Sequence, residues 1–437
     1  MRATKNFGEP SPLTASARVK PLSEERGNQR KLFTTNEKQA STRATSSNYY
    51  QPHADNLLLF SYLIQTIVLI PLIRYWKNVR GIEKVDRNQP YCTVYSDLLY
   101  QSWYCSNLEI PEQWLAVENV PRCSKLSHEE FQTRFEKPNL PVIVTDVVTE
   151  WPAFHKCKSR AYVSENFGKD QLVHVGGYEF TMPQYYEYVD RTNDEMPLYL
   201  FDKHFASKSV SLADDYSVPE YFSEDLFQVL GAERPDFRWL IIGPAKSGST
   251  FHKDPNCTSA WNAVITGKKK WILFPPHITP PGVHASEDEL HVATSVSLIE
   301  WFLNFYDAAA SGEAAKCQPR ECVVQAGEVI FVPRGWWHLV MNLEESVAIT
   351  QNYVSRNNIR QVLRYIKNPE LVSGCPIEQR VTLYERFYEK LREERPKLVE
   401  RLEREEDDIA KRKKTGLAKL FENGSEKKDA GFKFNFL

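Results

Sequence analysis

The 437-residue sequence lacks the features that mark several classes of protein. Its eight cysteines are scattered and form no C-x-x-C pair, which argues against a structural zinc site or a disulfide framework and favours reduced thiols in an intracellular protein. Lysine plus arginine (55) nearly balance aspartate plus glutamate (57), for a net charge of −2. The overall charge therefore gives no reason to expect sequence-specific binding of nucleic acid. No apolar core follows Met1, so we expect no secretory signal.

Long apolar runs are also scarce. The segment LLLFSYLIQTIVLIPLI at 57–73 is 17 residues long and contains Gln65 and Pro71, whereas a membrane-spanning helix needs ~20 apolar residues. A basic, interface-like flank, RYWK, follows it. The sequence favours a buried helix here, with membrane association as the alternative. The residues before it, 1–55, are polar and predict a mobile tail.

The remainder of the chain has the composition of a folded protein. Hydrophobic residues make up 42% of the sequence and aromatic residues 12%, which is enough to bury a core. We predict four regions: the tail at 1–55, an apolar helical region at 56–125, a central domain at 126–356 and charged C-terminal helices at 357–437.

The central domain is predicted to be rich in short strands. Strand-like segments, bounded by glycine and proline, recur at nearly regular spacing, which is typical of a jelly roll rather than of alternating strands and helices. An insert at 277–318 interrupts them and contains the helical pattern SVSLIEWFLNFYDAAA. The expected fold is mainly β with helical flanks, a double-stranded β-helix. The predicted strands are 237–242, 249–254, 259–266, 269–274, 322–324, 328–332, 337–343 and 347–353.

One histidine and one aspartate suggest the start of a metal site. His252 and Asp254 lie two residues apart in a predicted strand, so their side chains share a face while Lys253 points away. Alone, the pair is weak evidence for a site and is better explained by a core histidine and an aspartate that caps a turn. His338 opens a later strand that a jelly roll can bring alongside. Two imidazoles and one carboxylate are the ligand set of non-haem Fe(II) oxygenases.

Four segments carry a resemblance to a known family. HKD, TSAWNAVITGKKKWILFPP, GEVIFVPRGWWH and NLEESVAITQN resemble the JmjC-domain Fe(II)/2-oxoglutarate oxygenases, and within them the phosphatidylserine-receptor-like branch of protein hydroxylases and arginine demethylases. The resemblance covers about residues 140–356. It implies iron ligation by His252, Asp254 and His338, and pairing of Lys269 with the far carboxylate of 2-oxoglutarate. Further polar positions that it places around the co-substrate are Ser249, Asn262, Thr350, Tyr199, Asn342 and Asn352.

The lysine triplet at 268–270 needs a separate interpretation. In a strand, residues 269, 271 and 273 share a face, so only Lys269 is expected to enter the barrel, where a buried cation requires an anion. We expect Lys268 and Lys270 to lie in solvent. Trp336 and Trp337 are assigned to packing around the site.

The resemblance implies a reaction and leaves its substrate open. Fe(II), 2-oxoglutarate and dioxygen are the implied cofactor and co-substrates, and the products are succinate, CO2 and a hydroxylated protein side chain. Lysyl hydroxylation is placed ahead of demethylation of methyl-lysine or methyl-arginine, in which the hydroxylated N-methyl carbon leaves as formaldehyde.

Two other classes of function remain as alternatives. One is a non-catalytic scaffold whose N-terminal region, read as a degenerate F-box-like module, binds an adaptor partner. Three convergent metal ligands argue against it. The other is a different metal enzyme on the same barrel, such as a zinc-dependent isomerase, which would not need Lys269.

The C-terminal segment at 376–424 has apolar residues at helical spacing, interrupted by Pro396. It predicts either helices that pack on the barrel or a contact in a homodimer. The basic run KRKK at 411–414 favours the nucleus over the cytoplasm as the location.

Overall fold

The computed structural model describes residues 98–286, 291–312 and 317–425, all of which belong to one compact unit, Cys92–Leu437. The predictions made for the tail at 1–55 and for the apolar run at 57–73 lie outside these residues. Within the described ranges, no helix has the length and apolar character required to cross a membrane.

Strands dominate the central part of the chain, as predicted. Their bounds lie within a few residues of the sequence predictions, because strand ends are set by glycine and proline turns that the sequence displays. In chain order the strands are β1 (Arg122–Cys123), β2 (Val142–Val144), β3 (Leu172–Val175), β4 (Tyr178–Thr181), β5 (Leu200–Asp202), β6 (Arg238–Gly243), β7 (Gly248–His252), β8 (Ser259–Thr266), β9 (Lys268–Phe274), β10 (His284–Ala285), β11 (Val292–Ala293), β12 (Arg320–Gln325), β13 (Val329–Val332), β14 (Trp337–Asn342) and β15 (Ser346–Tyr353).

Two sheets face each other across the core. The major sheet has the order β1-β2-β13-β8-β15-β6-β5-β3-β4, and the minor sheet has the order β12-β9-β14-β7. The chain crosses from one sheet to the other at every step from β6 to β9 and again at every step from β12 to β15. This alternation is that of a double-stranded β-helix, so the predicted mainly β fold is confirmed. The insert adds the small β10-β11 hairpin.

The interior of the barrel is apolar except around the candidate site. Alternate residues of each strand point inward, and those of β9 include Trp271 and Leu273, which pack against Val340 of β14 and against inward residues of the major sheet. The buried members of this interior cluster are Val120, Ile143, Ala260, Val264, Trp271, Leu273, Cys322, Val324, Ile330, Val332, Trp336 and Val340.

Helices cover the outer faces of both sheets. Their bounds are α1 (Leu98–Asn107), α2 (His128–Phe131), α3 (Pro152–Lys156), α4 (Arg160–Phe167), α5 (Met182–Arg191), α6 (Phe205–Lys208), α7 (Val210–Asp214), α8 (Leu298–Ala310), α9 (Ile359–Ile366), α10 (Ile377–Arg380), α11 (Leu383–Glu394) and α12 (Pro396–Ser425). Helix α8 is the one predicted within the insert. It begins at a capping box formed by Ser297 and Glu300, and its apolar face packs on the minor sheet.

Helix α11 and the first turns of α12, through Val399 and Leu402, pack on the barrel domain. Leu383, Phe387 and Leu391 of α11 are buried against α9 and against the short helix Leu226–Glu233. Pro396 is the first residue of α12, a position where its missing N–H leaves no helical bond unmade. The predicted packing on the barrel is thus observed.

The prediction that Lys270 lies in solvent is wrong. Its side chain is fully buried on the outer face of β9, where its ammonium lies 2.8 Å from the carboxylate of Glu321 on β12. It also donates to the carbonyl of Val117 at 3.3 Å. The phenol of Tyr306 on α8 donates to the same carboxylate at 3.1 Å. The prediction failed because helix α8 covers the face that an isolated sheet would leave in water. Lys268 is exposed, as expected.

Candidate metal centre and co-substrate pocket

The two histidines of the predicted triad face each other across paired strands. His252 is the last residue of β7, and His338 lies opposite it in the antiparallel β14. Their ring centroids are 4.2 Å apart. Paired residues in a sheet point to the same side, so both imidazoles project toward the barrel interior. Trp271 stacks on His338 at 5.8 Å between ring centroids and fixes the plane of that ring.

Asp254 lies beyond the end of the strand in which it was predicted. Strand β7 stops at His252, and Asp254 precedes the single turn Pro255–Cys257 in an extended conformation. The side chain nevertheless turns back to the histidines. Potential ligand atoms of His252, Asp254 and His338 all lie within 4.8 Å of one another. The structure therefore brings the three predicted residues together.

Both imidazoles are held in the tautomer that suits metal binding. The Nδ1 atom of His252 lies 2.7 Å from the carbonyl oxygen of Thr250, and Nδ1 of His338 lies 3.1 Å from that of Trp336. Because a carbonyl only accepts, Nδ1 must carry the proton and Nε2 keeps its lone pair. Burial lowers the pKa of both histidines, that of His338 to about 4. The rings are thus neutral near pH 7.

The carboxylate of Asp254 has one oxygen without a partner. Oδ1 accepts a 3.5 Å hydrogen bond from the amide of Asn352, which also donates to Thr258 at 2.9 Å. Oδ2 is buried and has no hydrogen-bond partner among the described residues. Burial raises the pKa of this carboxyl group, partly offset by His252. A cation bound between the two neutral imidazoles and this oxygen would balance the buried negative charge and give the oxygen a partner.

A β-bulge allows Ser249 to share the interior with His252. Residues three apart in a regular strand face opposite sides, but the register of β7 against β14 shifts between these two positions. Ser249 therefore pairs with Val340, an interior residue. Its hydroxyl lies 2.6 Å from that of Tyr199, which precedes β5.

Lys269 is a buried cation inside the barrel, as predicted. It is 2% exposed, and its ammonium donates to Oδ1 of Asn342 at 2.8 Å. The Asn342 amide in turn donates to the hydroxyl of Ser247 at 2.9 Å. No carboxylate of the described residues pairs with Lys269, and burial lowers its pKa to about 7. A carboxylate from a ligand would supply the missing charge.

Asn262 and Thr350 lie side by side on the major sheet. They are paired residues of β8 and β15. Both lie on the inner face of the major sheet, the face that looks toward the minor sheet. The Oδ1 atom of Asn262 is buried and has no hydrogen-bond partner within the described ranges, while the Thr350 hydroxyl donates to the carbonyl of Trp261 at 2.8 Å and keeps its acceptor lone pairs. Every polar residue named for the pocket from the sequence is thus placed on the barrel's interior side or at its edge.

The turn after Asp254 contains a positioning residue that sequence reasoning missed. Asn256 and Cys257 both have positive φ, at 56° and 55°. The Asn256 amide is buried and exchanges two hydrogen bonds with the backbone of Ser373, at 3.0 and 3.1 Å. The available signal was the Asp-Pro-Asn sequence, because asparagine tolerates the left-handed conformation. This pairing ties the Asp254 turn to the C-terminal region.

The donor set fits a divalent transition metal with a bidentate acidic co-substrate. Two imidazole nitrogens and one carboxylate oxygen lie within 4.8 Å of one another, and the buried ammonium of Lys269 lies in the same barrel interior. The fold and the site together define a cupin-type metalloprotein of the two-histidine, one-carboxylate class.

Comparison with known proteins places the chain in a family. It belongs to the cupin-like, JmjC-domain family: the cupin-like domain matches residues 128–359. The arginine-specific demethylase JMJ22 of Arabidopsis thaliana is 50% identical over 354 residues, covering 80% of this chain and 68% of that protein.

More distant relatives share the same domain. The bifunctional arginine demethylase and lysyl-hydroxylase psr-1 of Caenorhabditis elegans is 36% identical over 309 residues, 68% of this chain and 73% of that protein. The 2-oxoglutarate and iron-dependent oxygenase JMJD4 of Danio rerio is 28% identical over 304 residues, 68% of this chain and 62% of that protein. The family resemblance read from the sequence is confirmed.

Proposed function

We propose that this chain is an Fe(II)- and 2-oxoglutarate-dependent oxygenase that hydroxylates a carbon atom of a protein side chain. The observation that carries the proposal is the convergence of His252, Asp254 and His338 beside the buried, carboxylate-free Lys269. The names of the relatives, which include oxygenases of this type, support it.

Each site residue has a role that its chemistry allows. Asp254 and the Nε2 atoms of the two histidines would hold the iron, and Lys269 would hold the far carboxylate of 2-oxoglutarate. With iron and co-substrate bound, the site couples decarboxylation of 2-oxoglutarate to succinate with insertion of one oxygen atom of dioxygen into a C–H bond. Asn352 keeps the Asp254 carboxylate in place, and the apolar interior cluster excludes water from the pocket.

The substrate is proposed to be an arginine or lysine side chain of a protein. The relatives' names include both arginine demethylase and lysyl-hydroxylase. The two activities differ in which carbon is presented. Hydroxylation of an N-methyl carbon gives an unstable product that releases formaldehyde, whereas hydroxylation of a side-chain carbon that is not bonded to nitrogen gives a stable hydroxylated residue. A single site therefore serves either outcome.

Succinate formation tests the proposal directly. We expect the purified protein, supplied with Fe(II), ascorbate and 2-oxoglutarate, to form succinate even without a protein substrate. His252→Ala should reduce the rate to the background of the metal-only control, because only two ligands remain. A distant histidine, His155 on α3, provides the matched control: His155→Ala should keep the wild-type rate. Equal succinate from wild type and His252→Ala would contradict the assigned site.

The scaffold alternative makes a different prediction for the same protein. A scaffold that has lost catalysis has no reason to keep a carboxylate-free lysine inside its barrel. If the wild-type protein formed no succinate and also failed to bind 2-oxoglutarate when loaded with Mn(II), the scaffold would become the better account.

The affinity for 2-oxoglutarate is expected to fall as the pH rises above 7. Burial lowers the pKa of Lys269 to about 7, so the free protein loses the ammonium above that pH. The bound carboxylate restores the charge, and binding then takes up a proton. Affinity should fall by up to about tenfold per pH unit. Calorimetry of the Mn(II)-loaded protein in two buffers of different ionisation enthalpy would measure proton uptake near one at pH 8 and near zero at pH 6. A value near zero at both would refute the assignment.

A further inference from the structure

A second polar cavity lies on the outer face of the major sheet. Its volume is about 410 Å³, within the range of small-molecule sites. Its floor includes Arg238 of β6 and Gln351 of β15, which are directly paired in the sheet. Both side chains point away from the barrel interior. Leu240 and Ile349, each two residues away and so on the same strand face, belong to the cluster packed beneath the outer helices. The cavity is therefore separate from the candidate metal centre.

Gln351 is a largely buried residue whose amide has no hydrogen-bond partner among the described residues. The residue is 4% exposed, yet its side chain makes no hydrogen bond to any described residue. A side-chain amide offers two N–H donors and a carbonyl acceptor, and neither amide atom of Gln351 is both fully buried and unbonded, so both are accessible from the cavity. Since Gln351 lines the cavity, a ligand there would provide the missing bond.

Arg238 gives the cavity an unbalanced positive charge. The half-buried guanidinium touches the phenol of Tyr216 at 3.5 Å and lies 5.4 Å from the ring centroid of Phe237. No carboxylate of the described ranges forms an ion pair with it. The neighbouring Arg234, by contrast, pairs with Asp225, although its Nε atom remains buried and unbonded in the described part of the chain.

We propose that this cavity is a binding site for a small monocarboxylate with an apolar body. The guanidinium fork of Arg238 matches a carboxylate geometrically and balances one negative charge. Phosphate, which carries nearly two charges near pH 7, would remain half balanced. The Gln351 amide and the Tyr216 phenol supply further hydrogen bonds, and Phe237 and Val218 supply an apolar wall.

The cavity and the metal centre lie on opposite faces of the same strand. Gln351 stands between Thr350 and Asn352, whose side chains face the barrel interior. Arg234, which lines the cavity, donates to the carbonyl of Asn352 at 3.1 Å. A test must therefore separate binding at the cavity from binding at the 2-oxoglutarate pocket.

Benzoate is the probe that fits these requirements. Saturation-transfer NMR on the full-length, Mn(II)-loaded protein should show saturable benzoate binding. Arg238→Gln and Gln351→Leu should each weaken it at least about tenfold while the dissociation constant for 2-oxoglutarate stays within about twofold of wild type, which also shows that the variants fold. Lys269→Met should retain benzoate binding, and so should Arg191→Gln, an exposed arginine on α5.

The same titrations define what would overturn the proposal. Absence of saturable benzoate binding would reject the site, as would binding that survives both cavity variants or is lost in Lys269→Met. Phosphate that competes with benzoate at equal or lower concentration would reject the carboxylate class. Loss of benzoate binding in both cavity variants, with 2-oxoglutarate binding preserved, supports it.

Discussion

Replacing Lys269 by methionine is expected to weaken 2-oxoglutarate binding at least ~100-fold. Truncating one partner of a buried, hydrogen-bonded charge pair costs about 2–5 kcal/mol, and ~100-fold corresponds to about 2.7 kcal/mol. Methionine keeps the apolar stem of the side chain and removes only the charged group. Burial lowers the pKa of the Lys269 amine, so its removal relieves a desolvation penalty and should not destabilise the free protein.

Calorimetry on the Mn(II)-loaded protein would measure this effect. Lys268→Met, on the adjacent exposed position, is the matched control and should bind 2-oxoglutarate as the wild type does. The Mn(II) affinity of Lys269→Met should be unchanged, because its partner is Asn342 rather than a member of the triad. Undiminished 2-oxoglutarate binding in Lys269→Met would remove the lysine from the co-substrate pocket.

Replacing Glu321 by alanine is expected to lower the free energy of unfolding by about 3–5 kcal/mol. The change leaves the fully buried ammonium of Lys270 without its carboxylate and the phenol of Tyr306 without its acceptor. Removal of one partner of a buried pair is far more harmful than removal of both, since the surviving charge stays desolvated. Denaturant unfolding followed by tryptophan fluorescence would measure the loss.

The double variant Lys270→Met with Glu321→Leu separates the charge from the packing. Apolar side chains of similar volume are expected to restore most of the lost stability, as they do when buried ion pairs are replaced as a unit. Arg191→Ala, which breaks the exposed pair with Glu187, should cost no more than about 1 kcal/mol. If Glu321→Ala matched this small loss, the network beneath α8 would contribute little.

Much of the barrel could be predicted from the sequence. Strand β8 was predicted with its observed bounds, Ser259–Thr266, because it is bounded by turn residues and buried on both faces. The alternation of β9 correctly placed Lys269 inside. Period-two alternation and turn chemistry are local properties, so a single sequence displays them.

The features that the sequence hid depend on distant segments. The burial of Lys270 requires helix α8, and the inward position of Ser249 requires a bulge set by pairing with β14. Asp254 was predicted inside a strand, but the strand ends at His252. Its end is fixed by the left-handed turn at Asn256 rather than by the residue pattern. The cavity lined by Gln351 likewise depends on distant segments, because residues of the outer helices form part of its wall.

The hydrogen bonds between Asn256 and Ser373 affect the order in which the site can form during synthesis of the chain. A ribosome releases Asp254 well before His338, and later still the segment that secures the Asp254 turn. At typical elongation rates of about 5–20 residues per second, the interval between Asp254 and Ser373 is roughly ten seconds. Until His338 has been released, the nascent chain exposes only part of its ligand set. A translation product that stops before Ser373 would therefore lack the two hydrogen bonds that hold the Asp254 turn.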